Sequence, residues 1–282
     1  MDLGLDVIVW DDLLPFVLAL LAAGVIAGFL AGLLGIGGGG ILVPILYELF
    51  TLVNVDPSIK THLAVGTSLA VIIPTSIRSF MAHNAKGVVD KDVLQKWGLP
   101  VFFGVLIGVA LASFIDGAVL RLIYALTALI IAVKLFFISD SFSFGSKVPG
   151  PPVSTLTGGL FGIVSTLMGI GGGVLISTMM TLYSRSIHQA VATASGFGPI
   201  IAVPAVLGYI WAGWGADNLP LGSIGYVSLI GCLLVAPLSV LAAPIGVRVS
   251  HGLSKRKLEI AFGIFLSIMS ARFLWSLIGD LG

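Results

Sequence analysis

Two runs, Gly35-Ile36-Gly37-Gly38-Gly39 and Gly169-Ile170-Gly171-Gly172-Gly173, stand directly before apolar stretches that are short for membrane helices. Glycine allows positive φ and close backbone approach. A helix that begins after such a break presents free N–H groups carrying about half a positive charge, which is an anion site. Gly37, Gly38 and Gly39, with Gly171, Gly172 and Gly173, are therefore candidates for an anion cradle; close packing between helices is the competing use of small residues. Downstream of each run comes a matching stretch, His62-Leu63-Ala64-Val65-Gly66-Thr67 and His188-Gln189-Ala190-Val191-Ala192-Thr193. Each histidine can donate to an anion, exchange a proton near neutral pH, or anchor a helix end at an interface. Their equivalence places His62 and His188 on opposite walls of one central site. Thr67, Ser68, Thr193 and Ser195 lie one to two turns deeper and supply neutral hydroxyls, either to a substrate or to their own helix backbone. Arg78 offers a bidentate guanidinium suited to an oxyanion, or a cation that snorkels at a helix end. Glu48, inside an apolar run, is either a proton-coupling carboxylate or an interfacial one.

The elements that position these groups must be membrane helices. The 282 residues are 57% hydrophobic and 10% charged, with a mean hydropathy of +1.14, against roughly 25% charged residues in a soluble domain. A net charge of +1 with no basic stripe excludes nucleic acid as a partner. The single cysteine, Cys232, excludes an internal disulfide or a cysteine metal site. There is no P-loop, no metal-spaced His/Cys set and no compelling Ser/His/Asp arrangement, so neither a cofactor nor an ATP-driven pump is expected, nor an enzyme. An intramembrane enzyme using His62 or His188 as acid or base is the rival from another class. The first twelve residues hold four aspartates and no Lys or Arg, unlike a cleaved leader, so the first apolar run is expected to remain as a helix.

Apolar runs fall near 13–34, 41–53, 61–80, 97–115, 118–138, 153–168, 174–183, 188–212, 222–247 and 256–278. All but 41–53 and 174–183 approach the length that crosses a bilayer. Counting every run as a crossing, with the N-terminus outside, places eleven of the fourteen Lys and Arg at or near the inner face, as the positive-inside rule requires. Ten segments is thus the expected count, with eight the alternative. The glycine and histidine matches, and the ungapped match of 120–137 to 258–275, divide the chain into a repeat over 1–138, a linker over 139–152 and a second repeat over 153–282. Five segments per half make the second copy inverted, the plan of many secondary transporters with half-helices at a midplane site. The expected fold is an all-α polytopic membrane protein of two inverted five-segment repeats.

The glycine runs, the paired His-x-Ala-Val-small-Thr stretches and Gly87-Val88-Val89-Asp90 resemble the sulfite exporter TauE/SafE family of membrane permeases, over about the whole chain. The resemblance implies a multi-pass protein of the prokaryotic inner membrane that moves small sulfur-containing anions, such as sulfite or an organosulfonate. Export of an anion runs with an inside-negative potential, so proton coupling is possible without being required. The alternative is a proton- or sodium-coupled importer of an anion such as thiosulfate.

Overall fold

A computed structural model of the chain describes residues 10–34, 39–137, 145, 148–250 and 255–279. These form ten helices and one short hairpin: α1 Trp10–Leu34, α2 Gly39–Leu52, α3 Pro57–Asn84, α4 Lys91–Ala112, α5 Gly117–Phe137, α6 Val153–Met168, α7 Gly173–Leu182, α8 Ile187–Ala212, β1 Ser223–Ile224, β2 Val227–Ser228, α9 Leu229–Ser250 and α10 Lys255–Gly279. The all-helical expectation holds because lipid cannot satisfy backbone groups and each segment must close its own hydrogen bonds. Seven helices have the length and apolarity to cross a bilayer; α2, α6 and α7 are shorter. The shortness of α6 departs from the sequence expectation. At 16 residues it rises about 24 Å, below the roughly 30 Å of a hydrocarbon core. Residues 222–228, expected within a helix, instead form the hairpin that leads into α9.

Helix starts follow local chemistry. Asp56 caps α3 by accepting from Ser58 N at 2.9 Å, with Pro57 at the first helical position. Asp90 caps α4 through Val93 N, and Ser186 caps α8 through Gln189 N. Two glycines with positive φ make the break between α6 and α7: Gly169 ends α6 at φ +68° and Gly172 precedes α7 at φ +71°. An L side chain is strained at those values.

The packing exchanges partners between the two halves of the chain. Helix α1 lies along α9, and α4 along α6, while α3 packs on α8 and α5 on α10. Both of the first two pairs use small residues. Gly24, Gly28 and Gly32 meet Val235, Ser239 and Ala243, and Gly104 and Gly108 meet Gly159 and Ile163, with no room for a Cβ in most of these contacts. The order of these contacts makes α1 parallel to α9 and α4 parallel to α6. Thr67 lies by Ser228 and Thr75 by Ser239, so α3 is parallel to α9. Gly66 lies by Tyr209 and Ser76 by Gly198, so α3 is antiparallel to α8.

Helices α1 and α3 therefore run the same way, and α2 must carry the chain back between them. One end of the bundle, the hairpin face, holds the α2–α3, α4–α5 and α8–α9 connections. The other, the basic face, holds Lys86, Lys91, Arg185 and the start of α10.

Candidate functional site

The two short helices α2 and α7 begin deep in the bundle and leave it in opposite directions. Gly39, the first residue of α2, abuts the other glycine run: a Cβ there would sit 2.5 Å from Gly169 O and 2.8 Å from Ile170 Cα. Gly171 and Gly198 approach one another beside Ile72 and Ser76. From this meeting point α2 rises to the hairpin face, where Asp56 follows it, and α7 runs about 15 Å toward Arg185 on the basic face. No side chain caps α7 at its start, where Gly172 stands. Its first-turn N–H groups thus have no competing side-chain acceptor.

Beside that helix start lies a small cavity of about 10 Å³, space for one water-sized centre. Thr75, Ser76 and Ser79 of α3 line it, with Ser195 and Gly198 of α8 and Gly171 and Gly173 at the break. Thr75 Oγ1 donates to Val71 O (2.8 Å), Ser76 Oγ to Ile73 O (3.2 Å) and Ser195 Oγ to Ala192 O (2.7 Å). In this closed arrangement each hydroxyl hydrogen is held by its own helix. Rotation about χ1 would turn those donors inward, and a sulfur oxyanion needs both that rotation and a wider cavity. Among the described residues that line it none is charged, so the groups these offer to a ligand are neutral hydroxyls and backbone dipoles.

The sequence-derived candidates scatter more than expected. Gly37 and Gly38 lie outside the described residues. Gly39, Gly171, Gly172, Gly173 and Ser195 belong to the meeting point. Ser68 donates to Gly169 O at 2.9 Å and so braces the break. Thr67 and Thr193 are brackets between elements: Thr67 Oγ1 accepts from Ser228 N at 2.9 Å, and Thr193 Oγ1 accepts from Asp90 N at 2.8 Å. Arg78 is exposed, although Ser79 beside it lines the cavity. Glu48 forms an ion pair with Arg272, Oε1 to Nε at 3.1 Å.

His62 and His188 are not brought together. His62 is buried near the hairpin face, its ring 6.5 Å from that of Tyr209. His188 is exposed at the opposite end of the same helix as Tyr209, about 30 Å away along α8. A repeat inverted about an axis in the membrane plane keeps equivalent residues at equal but opposite depths. They meet only near the midplane, and both histidines sit within the first two turns of their helices.

Sequence reasoning missed Thr75, Ser76 and Ser79. A signal was present: with Ser68 they recur at i, i+7, i+8 and i+11, one face of a helix. Asp90, the last residue of the Gly87–Asp90 stretch, pairs through Oδ2 with Arg185 Nη2 at 3.4 Å.

A polytopic helical bundle whose short helices meet beside a small buried cavity is an architecture that suits a membrane transporter. The chain matches the family described as Sulfite exporter TauE/SafE over residues 20–273 and belongs to it. It is similar to a probable membrane transporter protein of Haemophilus influenzae, 30% identical over 255 residues that cover 90% of this chain and 97% of the relative. It is also similar to a probable membrane transporter protein of Methanocaldococcus jannaschii, 28% identical over 251 residues covering 89% and 92%. No solved structure matches the chain.

Proposed function

We propose that this protein is a secondary transporter, not an enzyme, that exports a small sulfur-containing oxyanion such as sulfite or sulfoacetate by alternating access. The observation that carries this reading is the convergence of the α7 start, the Gly169–Gly173 break and the residues Ser76 and Ser195 on one buried cavity. Helix N-termini and neutral hydroxyls hold an anion without an opposing cation, which leaves it free to depart. The cargo class follows the family description. The exchange of partners between halves supports two inverted repeats over 1–138 and 153–282, with the linker between them and the cavity at their junction.

With the basic face cytoplasmic and the N-terminus outside, an inside-negative potential drives anion exit by about 2.3 kcal/mol per charge per 100 mV. The test is efflux from liposomes that contain the purified protein alone. Sulfite or sulfoacetate should leave saturably and chloride should not. A Gly172→Leu variant that stays folded should move neither, because its side chain would be strained at φ +71° and meet Ile201. Absence of oxyanion efflux from the wild-type protein would refute the proposal.

A further inference from the structure

Away from the cavity, α3 carries two buried polar atoms that the transport path does not use. His62 is 6% exposed, and its Nε2 lies 3.3 Å from Ala112 O and 3.1 Å from Ile115 O at the C-terminal end of α4. A nitrogen set between two carbonyl acceptors carries hydrogen. The neutral ring therefore leaves a lone pair on Nδ1. That Nδ1 has no hydrogen-bond partner among the described residues, and neither has Oγ1 of Thr61, which is 2% exposed. The two atoms share one place: a Cβ on Gly117, where α5 starts, would sit 3.0 Å from Thr61 Oγ1 and 3.9 Å from His62 Nδ1. An orphaned buried polar atom costs about 1–3 kcal/mol and is rare in folded proteins. Two side by side mark a place for a small ligand.

We propose that Nδ1 of His62 is a proton-binding site. The Nδ1 lone pair takes a proton from hydronium and releases water, with no change of oxidation state. Burial opposes a charge on the ring, and the groups around it work against that penalty. The Ala112 and Ile115 carbonyls lie at the negative end of the α4 dipole, and the Tyr226 ring stands 5.0 Å away, centroid to centroid. Asp116, just before α5, is the carboxylate that acts on the ring. A water between them would let Thr61 Oγ1 accept from the new N–H.

The nearby cations are turned to another cluster. Lys60 Nζ lies 4.8 Å from the centroid of the Tyr47 ring, and Arg121 Nη1 donates to Tyr47 Oη and Ser276 Oγ. Glu48 is held by Arg272, Asp56 by Ser58 and Asn218, and the Tyr209 hydroxyl by Thr166 O.

A charge-assisted bond is about twice as strong as a neutral one, so protonation tightens the hold of α3 on the end of α4 and keeps the hairpin face closed. This coupling rests on the transport reading; the proton site itself does not. The test has two arms. In nanodiscs, imidazole NMR of the labelled protein should show four histidines. The resonance absent from His62→Gln should pass from the Nε2–H tautomer to the doubly protonated ring as pH falls from about 6.5 to 5. If that variant does not fold, Gly117→Ala serves, since its methyl would crowd Thr61 and shift the His62 resonance selectively.

In liposomes, anion flux should change about threefold or more over the same pH range on the hairpin side, and His62→Gln should flatten the response. A His62 ring that stays neutral down to about pH 5 overturns the proton site. Wild-type pH dependence retained by His62→Gln overturns the coupling. Loss of all anion flux with His62 still titrating would sink the transport reading and leave the proton site standing.

Discussion

Two brackets hold α3 and α8 to the helix starts they pack against, one at each face, and they are built alike up to a point. At the hairpin face Thr67 accepts from Ser228 N, and Ser228 Oγ accepts from Gly231 N at the start of α9. At the basic face Thr193 accepts from Asp90 N, and Asp90 Oδ1 accepts from Val93 N at the start of α4. The threonines end matching stretches of sequence, His62–Thr67 and His188–Thr193, and each grips the residue that caps a distant helix. The difference is charge: Ser228 is neutral, whereas Asp90 also pairs with Arg185 at 3.4 Å. A symmetric skeleton thus carries asymmetric locks. Under the proposed alternating-access mechanism, such asymmetry would set which face opens more easily.

The strongest way to break the symmetry is steric. Gly66 precedes Thr67 so close to the hairpin that a Cβ would collide with Tyr226 O, whereas the equivalent residue before Thr193 is Ala192, fully buried. Gly66→Ala should therefore destabilise the folded protein by about 3 kcal/mol, the upper part of the usual overpacking range. Ala192→Gly should cost only about 1 kcal/mol, the helix-propensity difference. Thermal unfolding in detergent measures both, and equal losses would mean that the two brackets are packed alike.

Next in size are the hydroxyls themselves. Thr67→Val and Thr193→Val each leave one buried N–H without an acceptor, at a cost of about 1–3 kcal/mol. The brackets lie at opposite ends of the bundle, so the double variant should lose the sum to within about 0.5 kcal/mol. A marked departure from additivity would show that the two faces are coupled through α3 and α8.

These brackets also show what was legible in the chain. The second glycine run marked the break between α6 and α7 because glycine takes φ +68° at Gly169 and +71° at Gly172 without strain. The threonine pair was legible as a pair, but its role was not. A hydroxyl one turn into a helix reads the same whether it faces a ligand or the N–H of a distant loop. The cavity hydroxyls escaped because they break the repeat: Thr75, Ser76 and Ser79 correspond to Ile201, Ala202 and Ala205. A search for matched pairs discards such residues. The histidine pairing fails in the opposite way: the two stretches match in sequence, but a match in sequence does not fix depth in the bundle.

The ion pair gives a smaller effect with a distinctive signature. Arg185 is 36% exposed, so Arg185→Gln should cost below about 1 kcal/mol. Raising salt from about 0.05 to 0.5 M should weaken the basic-face bracket of the wild type and leave the variant unchanged. The rate at which a cysteine placed at Val89 reacts with a soluble maleimide, in a Cys232→Ala background, reports the opening. A salt response of the same size in wild type and variant would remove the charged lock from the comparison.

The smallest effect lies at the hairpin face, where Asp56 ties the start of α3 to the α8–α9 loop. Its carboxylate accepts from Ser58 N at 2.9 Å, Ser58 Oγ at 2.7 Å and Asn218 Nδ2 at 3.0 Å. The bonds from the Ser58 side chain and backbone, then that from Asn218, outweigh desolvation and hold the carboxyl below its usual 3.8. A group whose folded value is depressed contributes stability above its unfolded value, and loses it as pH falls through the lowered one. The Asp56 tie should thus be whole at pH 6 and slacken only well below about pH 4. Its hydrogen-bond partners are neutral, so salt should affect it far less than the Arg185 pair. Amide exchange of Ser58 at pH 3 and pH 6, corrected for intrinsic rates, should show protection lost in acid by the wild type and low at both values in Asp56→Ala. Protection that survives at pH 3, or that disappears with salt at pH 6, would make this tie the same kind of lock as its counterpart and leave the asymmetry between the faces to Arg185 alone.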